Sequence, residues 1–139
     1  MDELVDWSTF ARMRTQLGAS FVRILGYFRE DGEKSVATIE DAMHRQDAAA
    51  IVLPAHTMKA EARQFGAEPL ADLAEQIEFA CRRALESHLF PDDLLPEVAK
   101  LRPLYLETIL LLEEETNPLA QRRGGGFGKK PSNQEFGRL

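Results

Sequence analysis

The sequence predicts an all-α protein: an antiparallel up-down-up-down four-helix bundle with a short extra N-terminal helix. Three observations carry that prediction. Apolar residues recur at three- and four-residue spacing through nearly everything before residue 118. Period-two alternation of β-branched residues, the mark of a half-buried strand, is absent. The segments between the periodic stretches are short, so consecutive amphipathic helices must run antiparallel to bury their stripes against one another.

Each element has its own signals. Asp6 is placed to cap a short first helix that carries Trp7, Phe10, Ala11 and Arg14 and closes near Leu17-Gly18. Phe21, Leu25, Phe28, Gly32, Val36, Ile39 and Met43 then form one apolar stripe, which predicts a single long helix over 19–45. Gly32 costs ~1 kcal/mol inside a helix, so a break at Asp31-Gly32 is the alternative. Asp47 caps a third helix over about 48–65, with a stripe of Ala48, Val52, Ala55, Met58, Ala62 and Phe65. Pro54 falls inside it and predicts a bend or a late start; Gly66 closes it. A fourth helix covers about 69–87, with Pro69 near its first position and a stripe of Leu70, Leu73, Ile77, Ala80 or Cys81, and Ala84. After the loop SHLFPDD, a fifth helix covers about 93–116 through Leu94, Val98, Leu101, Tyr105, Ile109 and Leu112, with a kink expected at Pro103.

The chain of 139 residues, 44% of them hydrophobic, is the size of one domain and can fill a core without disulfides or a metal. It divides into a helical domain over 1–118 and a Gly-rich basic tail over 119–139, where disorder is expected because little apolar area offsets the ordering entropy. The tail holds Phe127-Gly128-Lys129 and Phe136-Gly137-Arg138, two triplets that could be a binding motif. The net charge of −6 divides unequally. Residues 119–139 hold five cations and one acid, +4, and residues 1–118 hold 12 basic and 22 acidic residues, −10. An acidic body argues against nucleic acid as a partner. No apolar run approaches the ~18–20 residues of a membrane span. The start MDELVDW has no basic or apolar segment of a secretory signal, and Cys81 is a lone cysteine, so a cytoplasmic location is expected. A metal site from His44, His56, His88 and Cys81 lacks ligand spacing, and none is expected. His44 and His88 fall near helix ends, where an imidazolium suits the dipole.

The third helix carries the chemistry. His56, Lys59, Ala60 and Arg63 are spaced i, i+3, i+4 and i+7, so they share a face away from the core stripe. Neutral imidazole is a competent nitrogen nucleophile at physiological pH. A phosphoryl group on it would bring about two negative charges, which a lysine one turn away would offset. A small residue at i+4 leaves room for a second protein to approach the ring. In-line phosphoryl transfer depends on such positioning. No P-loop, Gly-rich kinase loop or catalytic aspartate set is present, so the chain is expected to bind no ATP and to have no kinase activity of its own.

The run Ala55-His56-Thr57-Met58-Lys59-Ala60-Glu61-Ala62 resembles the signature of histidine-containing phosphotransfer (HPt) domains, roughly His-x-x-Lys-Gly-Ser/Ala on the second long helix of the bundle. The flanks Asp47-Ala48-Ala49, Phe65-Gly66-Ala67 and Leu70-Ala71 with Leu73-Ala74 also resemble the family, and the resemblance covers about residues 8–116. It implies that His56 is the phospho-acceptor, through Nε2, and that Lys59 helps hold the phosphoryl oxygens. It implies a relay role: a phosphoryl group arrives from the aspartate of a response-regulator receiver domain and leaves for another, with a sensor histidine kinase upstream. It implies no cofactor on this chain, the Mg²⁺ belonging to the receiver, and a monomer. Ala60, Arg63, Gln64, Phe21, Ile24 and Phe28 are the expected docking residues. Two departures bear on partner choice: Ala60 stands where the family has glycine, and Glu61 where it has a small residue. The competing readings are a non-catalytic helical adaptor that recruits a partner through its tail, and the dimerising phosphoacceptor module of a sensor kinase. A helix count sufficient for a bundle on its own argues against the last.

Overall fold

The computed structural model describes residues 3–91 and 93–116. Its elements are α1 (Trp7–Leu17), a 3₁₀ turn (Gly18–Ser20), α2 (Phe21–His44), α3 (Ala48–Gln64), α4 (Glu68–Ser87) and α5 (Leu94–Thr116). Among the described residues there is no strand, and no helix is long and apolar enough to cross a membrane. The tail and its Phe-Gly-basic triplets lie outside the described residues. The chain divides into Met1–Thr108, which carries the bundle and the site, and Ile109–Leu139, whose described part is the end of α5.

Local chemistry sets the boundaries. Asp6 accepts from the backbone N–H groups of Ser8 and Thr9 and so caps α1, while Asp47 accepts from Ala50 N–H at the start of α3. At the other end of α3 the chain turns on Gly66 at φ +82°. A Cβ there would meet the Asp6 carbonyl at 2.6 Å. The close approach is used: Asp6 N–H donates to Gly66 O at 2.7 Å, which fastens α1 over the α3–α4 turn.

The helices alternate in direction, as cross-helix pairs show. His56 and Lys59 meet Glu78, while Arg63, further along α3, meets Asp72 and Glu75, earlier on α4. On the other side, Arg102 of α5 forks onto Glu40 of α2 and also reaches Glu33, while Tyr105 donates its hydroxyl to Arg29 O at 2.6 Å. In each pair, α3 with α4 and α2 with α5, later residues of one helix thus face earlier residues of the other. The core between them includes a train of aromatic contacts from Trp7 through Phe10, Phe21, Phe65 and Phe28 to Tyr105.

α2 runs unbroken through Asp31-Gly32, as its apolar stripe predicts, and a glycine has its own use there: a Cβ on Gly32 would overlap the Tyr105 ring. Other expectations change. α3 runs through Pro54 without a late start. Its buried face uses Ile51 in place of Val52, which is only half-buried. Phe21 and Phe28, expected at the docking surface, are core residues at 2% and 1% exposure. They belong to the apolar stripe that closes α2 onto its neighbours, and a buried stripe cannot also meet a partner. Ile24 beside them is half-buried.

Candidate functional site

His56 stands on α3 with 51% of its side chain exposed. Its Nδ1 lies 3.0 Å from Glu78 Oε2, on α4. Lys59, one turn on, places Nζ 2.9 Å from Glu78 Oε1 and over the Phe79 ring, 5.4 Å from the centroid. Arg82, one turn beyond Glu78 on α4, approaches Oε2 with Nε at 2.9 Å and Nη2 at 2.8 Å. One carboxylate therefore gathers an imidazole, an ammonium and a guanidinium.

Glu78 is 2% exposed. Burial pushes its pKa up, but the hydrogen bonds from Lys59, Arg82 and His56, helped by the Lys59 charge, outweigh that and hold it at about 2. At neutral pH it is an anion with no proton to give. The His56 bond must then run from Nδ1–H to the carboxylate, and the lone pair of the neutral ring is left on Nε2. Nε2 makes no hydrogen bond among the described residues. Glu78 thus fixes both the tautomer and the direction of the ring.

The surface around the ring is apolar and open. Leu53, one turn before His56, is 70% exposed; Ala60, one turn after, is exposed; and Phe79 contributes part of its ring from α4. Gln64 is exposed further along the same helix. Arg63 is engaged elsewhere: Nη2 lies 3.4 Å from Asp72 Oδ1 and 3.3 Å from Glu75 Oε1, and Nη1 lies 3.8 Å from Glu68 Oε1. Glu61 turns toward α2, where burial and a hydrogen bond shared with Asp31 raise its carboxyl to about 7. Cys81 is buried, and burial lifts its thiol to about 11, which leaves it unreactive. Among the described residues no cluster of three or more His, Cys, Asp or Glu could hold a metal ion.

The structure therefore brings His56, Lys59 and Ala60 together, and leaves Phe21 and Phe28 inside the core. Sequence reasoning missed Glu78, Arg82, Phe79 and Leu53. One signal was present. Glu78 lies four residues after Ala74 and three before Cys81, an acid inside the apolar stripe of α4. A carboxylate on a buried face calls for a charged partner.

His56 thus stands exposed and oriented on the surface of a helical bundle. The Hpt domain model matches residues 23–116, and the chain belongs to that family. Among solved structures it is similar to histidine-containing phosphotransfer protein B (HptB) from Pseudomonas aeruginosa PAO1. The two share 20% identity and superpose with a TM-score of 0.74 over 88% of this chain and 98% of that one, a likeness of fold. No curated protein sequence matches the chain.

Proposed function

We propose that His56 accepts a phosphoryl group at Nε2 from the phospho-aspartate of a receiver domain and passes it to the aspartate of another. The observation that carries this reading is the Glu78–His56 Nδ1 contact at 3.0 Å, which leaves Nε2 of a half-exposed ring as the basic nitrogen. In the forward step the Nε2 lone pair forms a P–N bond as the P–O bond of the acyl phosphate breaks and leaves a carboxylate. The ring becomes a phosphoimidazolium that keeps its Nδ1 proton. Glu78, already an anion, offsets that charge without reorganising. In the return step a carboxylate oxygen attacks phosphorus, the P–N bond breaks, and the pair goes back to Nε2.

Lys59 is held beside the ring by Glu78 and Phe79, only 18% exposed, so its amine is positioned in advance. A receiver would bring its own acidic pocket and Mg²⁺, and would seat on Leu53, Ala60 and Phe79. Ala60 adds one methyl to that face compared with the family's glycine. The protein would work as a cytoplasmic monomer, with a sensor histidine kinase upstream of its receivers.

The test mixes the protein with a phosphorylated receiver and follows acid-labile, base-stable label. Wild type takes up label and loses it to a second receiver, His56→Gln takes up none, and Lys59→Ala is slowed. Label retained by His56→Gln would refute the assignment.

A further inference from the structure

The side of α3 that its ion pairs leave open leans toward α2. At about 100° per residue, Leu53, Ala60 and Gln64 are turned one way from His56. Lys59 and Arg63 are turned the other way, to Glu78 and to Glu68, Asp72 and Glu75. The open side ends at Glu61, which is half-buried and shares a hydrogen bond with Asp31 of α2. Asp31 is exposed, and Tyr27, one turn before it on the same face of α2, is 51% exposed. A receiver that covers His56, Ala60 and Gln64 therefore meets this acid pair at its edge.

A hydrogen bond between two carboxyl groups needs a proton, since carboxylates only accept. The pair therefore carries one negative charge where two acids stand, and it is incompletely satisfied. Oε1 of Glu61 is buried without a hydrogen-bond partner among the described residues. Asp31 is the charged group that bears on Glu61 from α2, and the cations of α3, Lys59 and Arg63, are held to α4. Lys34, one turn beyond Asp31, is exposed to water. The far flank of the docking face has the same sign, three carboxylates against the one guanidinium of Arg63. Both edges thus favour a partner that brings positive charge. A lysine or arginine laid over Ala60 can draw the Glu61 carboxylate outward and donate to it, a charge-assisted bond in place of the shared proton.

We propose that Glu61 sets which receivers this chain accepts: it favours a receiver that places a lysine or arginine over Ala60, and that cation replaces the proton shared with Asp31. The proton leaves to solvent. A receiver with an apolar side chain at that place must desolvate a carboxyl, and one with an acidic side chain is repelled. Glu61 stands where the phosphotransfer signature has a small residue, so the selection is a property of this chain and not of the signature. The inference deepens the relay reading and rests on it.

The experiment screens a panel of phosphorylated receiver domains for label uptake by the full chain and takes the fastest donor as the probe. Transfer from that receiver is measured at pH 6 and pH 8 for wild type, Glu61→Ala and Glu61→Gln. Each variant is compared with wild type at the same pH, so that titration of His56 and of the receiver cancels. At pH 8 both variants are expected to raise KM about tenfold with kcat unchanged. At pH 6 a proton held to about 7 must first be expelled, which costs wild type about tenfold, and the difference in KM closes. Calorimetry of receiver binding at pH 6.5, in two buffers of different ionisation enthalpy, is expected to show wild type releasing more protons than Glu61→Gln, by up to about one. The inference is overturned if the variants match wild type at pH 8 or if their loss is equal at both pH values. It is also overturned if wild type takes up protons relative to Glu61→Gln, as burial under an apolar surface requires. Any of these results with wild type labelled on His56 sinks this inference alone; wild type labelled by no receiver of the panel sinks the relay reading with it.

Discussion

Glu78 Oε2 and His56 Nδ1 lie 3.0 Å apart, although 22 positions of sequence separate them and they belong to different helices. Everything expected of the imidazole follows from that pair. Glu78→Gln keeps an oxygen for Nδ1–H but removes the negative charge that offsets the phosphoimidazolium. It is expected to slow phosphoryl uptake by about tenfold or more, and Glu78→Ala to slow it further because the ring is no longer oriented. Uptake assays on the two variants at neutral pH check this; a Glu78→Gln protein as fast as wild type would remove Glu78 from the chemistry.

The same carboxylate makes the fold sensitive to acid. Its pKa falls from 4.5 to about 2 on folding, so the folded state binds fewer protons in that range. The stability it contributes is complete above pH 4.5 and is lost as pH falls through 2. Chemical denaturation at pH 6, 4 and 3 is expected to show wild type losing stability on this descent. Glu78→Gln is expected to lose less over the same interval, while being weaker at pH 6, where Lys59 has lost its buried partner.

Glu61 works in the opposite sense. Burial, then the hydrogen bond and charge of Asp31, raise its carboxyl from 4.5 to about 7. The folded state holds a proton that the unfolded chain would release, so this contribution is complete below pH 4.5 and disappears as pH rises through 7. Glu61→Gln, which keeps a neutral side chain at every pH, is expected to raise Tm at pH 8 and to change it little at pH 4.5. Equal shifts at both pH values would show that the Glu61–Asp31 proton is not the cause.

Two glycines of α2 are expected to respond in opposite directions to one methyl. Gly32→Ala drives a Cβ into Tyr105 and is expected to cost about 1–3 kcal/mol, several degrees of Tm. Gly26 has nothing within 4 Å of such a Cβ, so Gly26→Ala is expected to gain up to ~1 kcal/mol from helix propensity. Thermal melts of the two variants side by side make the comparison, and a stabilised Gly32→Ala would show that Tyr105 can move aside.

What the sequence made legible was whatever is decided within a few residues. Asp6 and Asp47 cap the helices they precede, and Gly66 turns the chain where its spacing placed a stop. The long stripe of α2 identified its core, and His56 with Lys59 identified the candidate face. What stayed hidden is decided between helices. The need for glycine at position 32 depends on a tyrosine more than 70 positions away, and the orientation of His56 depends on an acid on α4. Phe21 and Phe28 were given two duties, core and docking, and the register of the bundle permits only the first. The open apolar face comes from Leu53 and Phe79, which sit off the stripes where periodicity gives no reason to look.

The hydrogen bond from Asp6 N–H to Gly66 O bears on where the folding unit begins. The match to the family model starts at residue 23, yet this bond, the cap of α1 and the Phe10–Phe21 ring contact all depend on residues upstream of it. A chain trimmed to 23–116 would leave the Gly66 carbonyl without its donor, and would expose Phe65 at the end of the bundle where Phe21 had covered it. Such a fragment would keep His56, Lys59, Glu78 and Arg82 and still be a poorer scaffold for them. The practical edge of this domain is therefore set by a backbone amide at position 6, some 17 residues before the alignment begins.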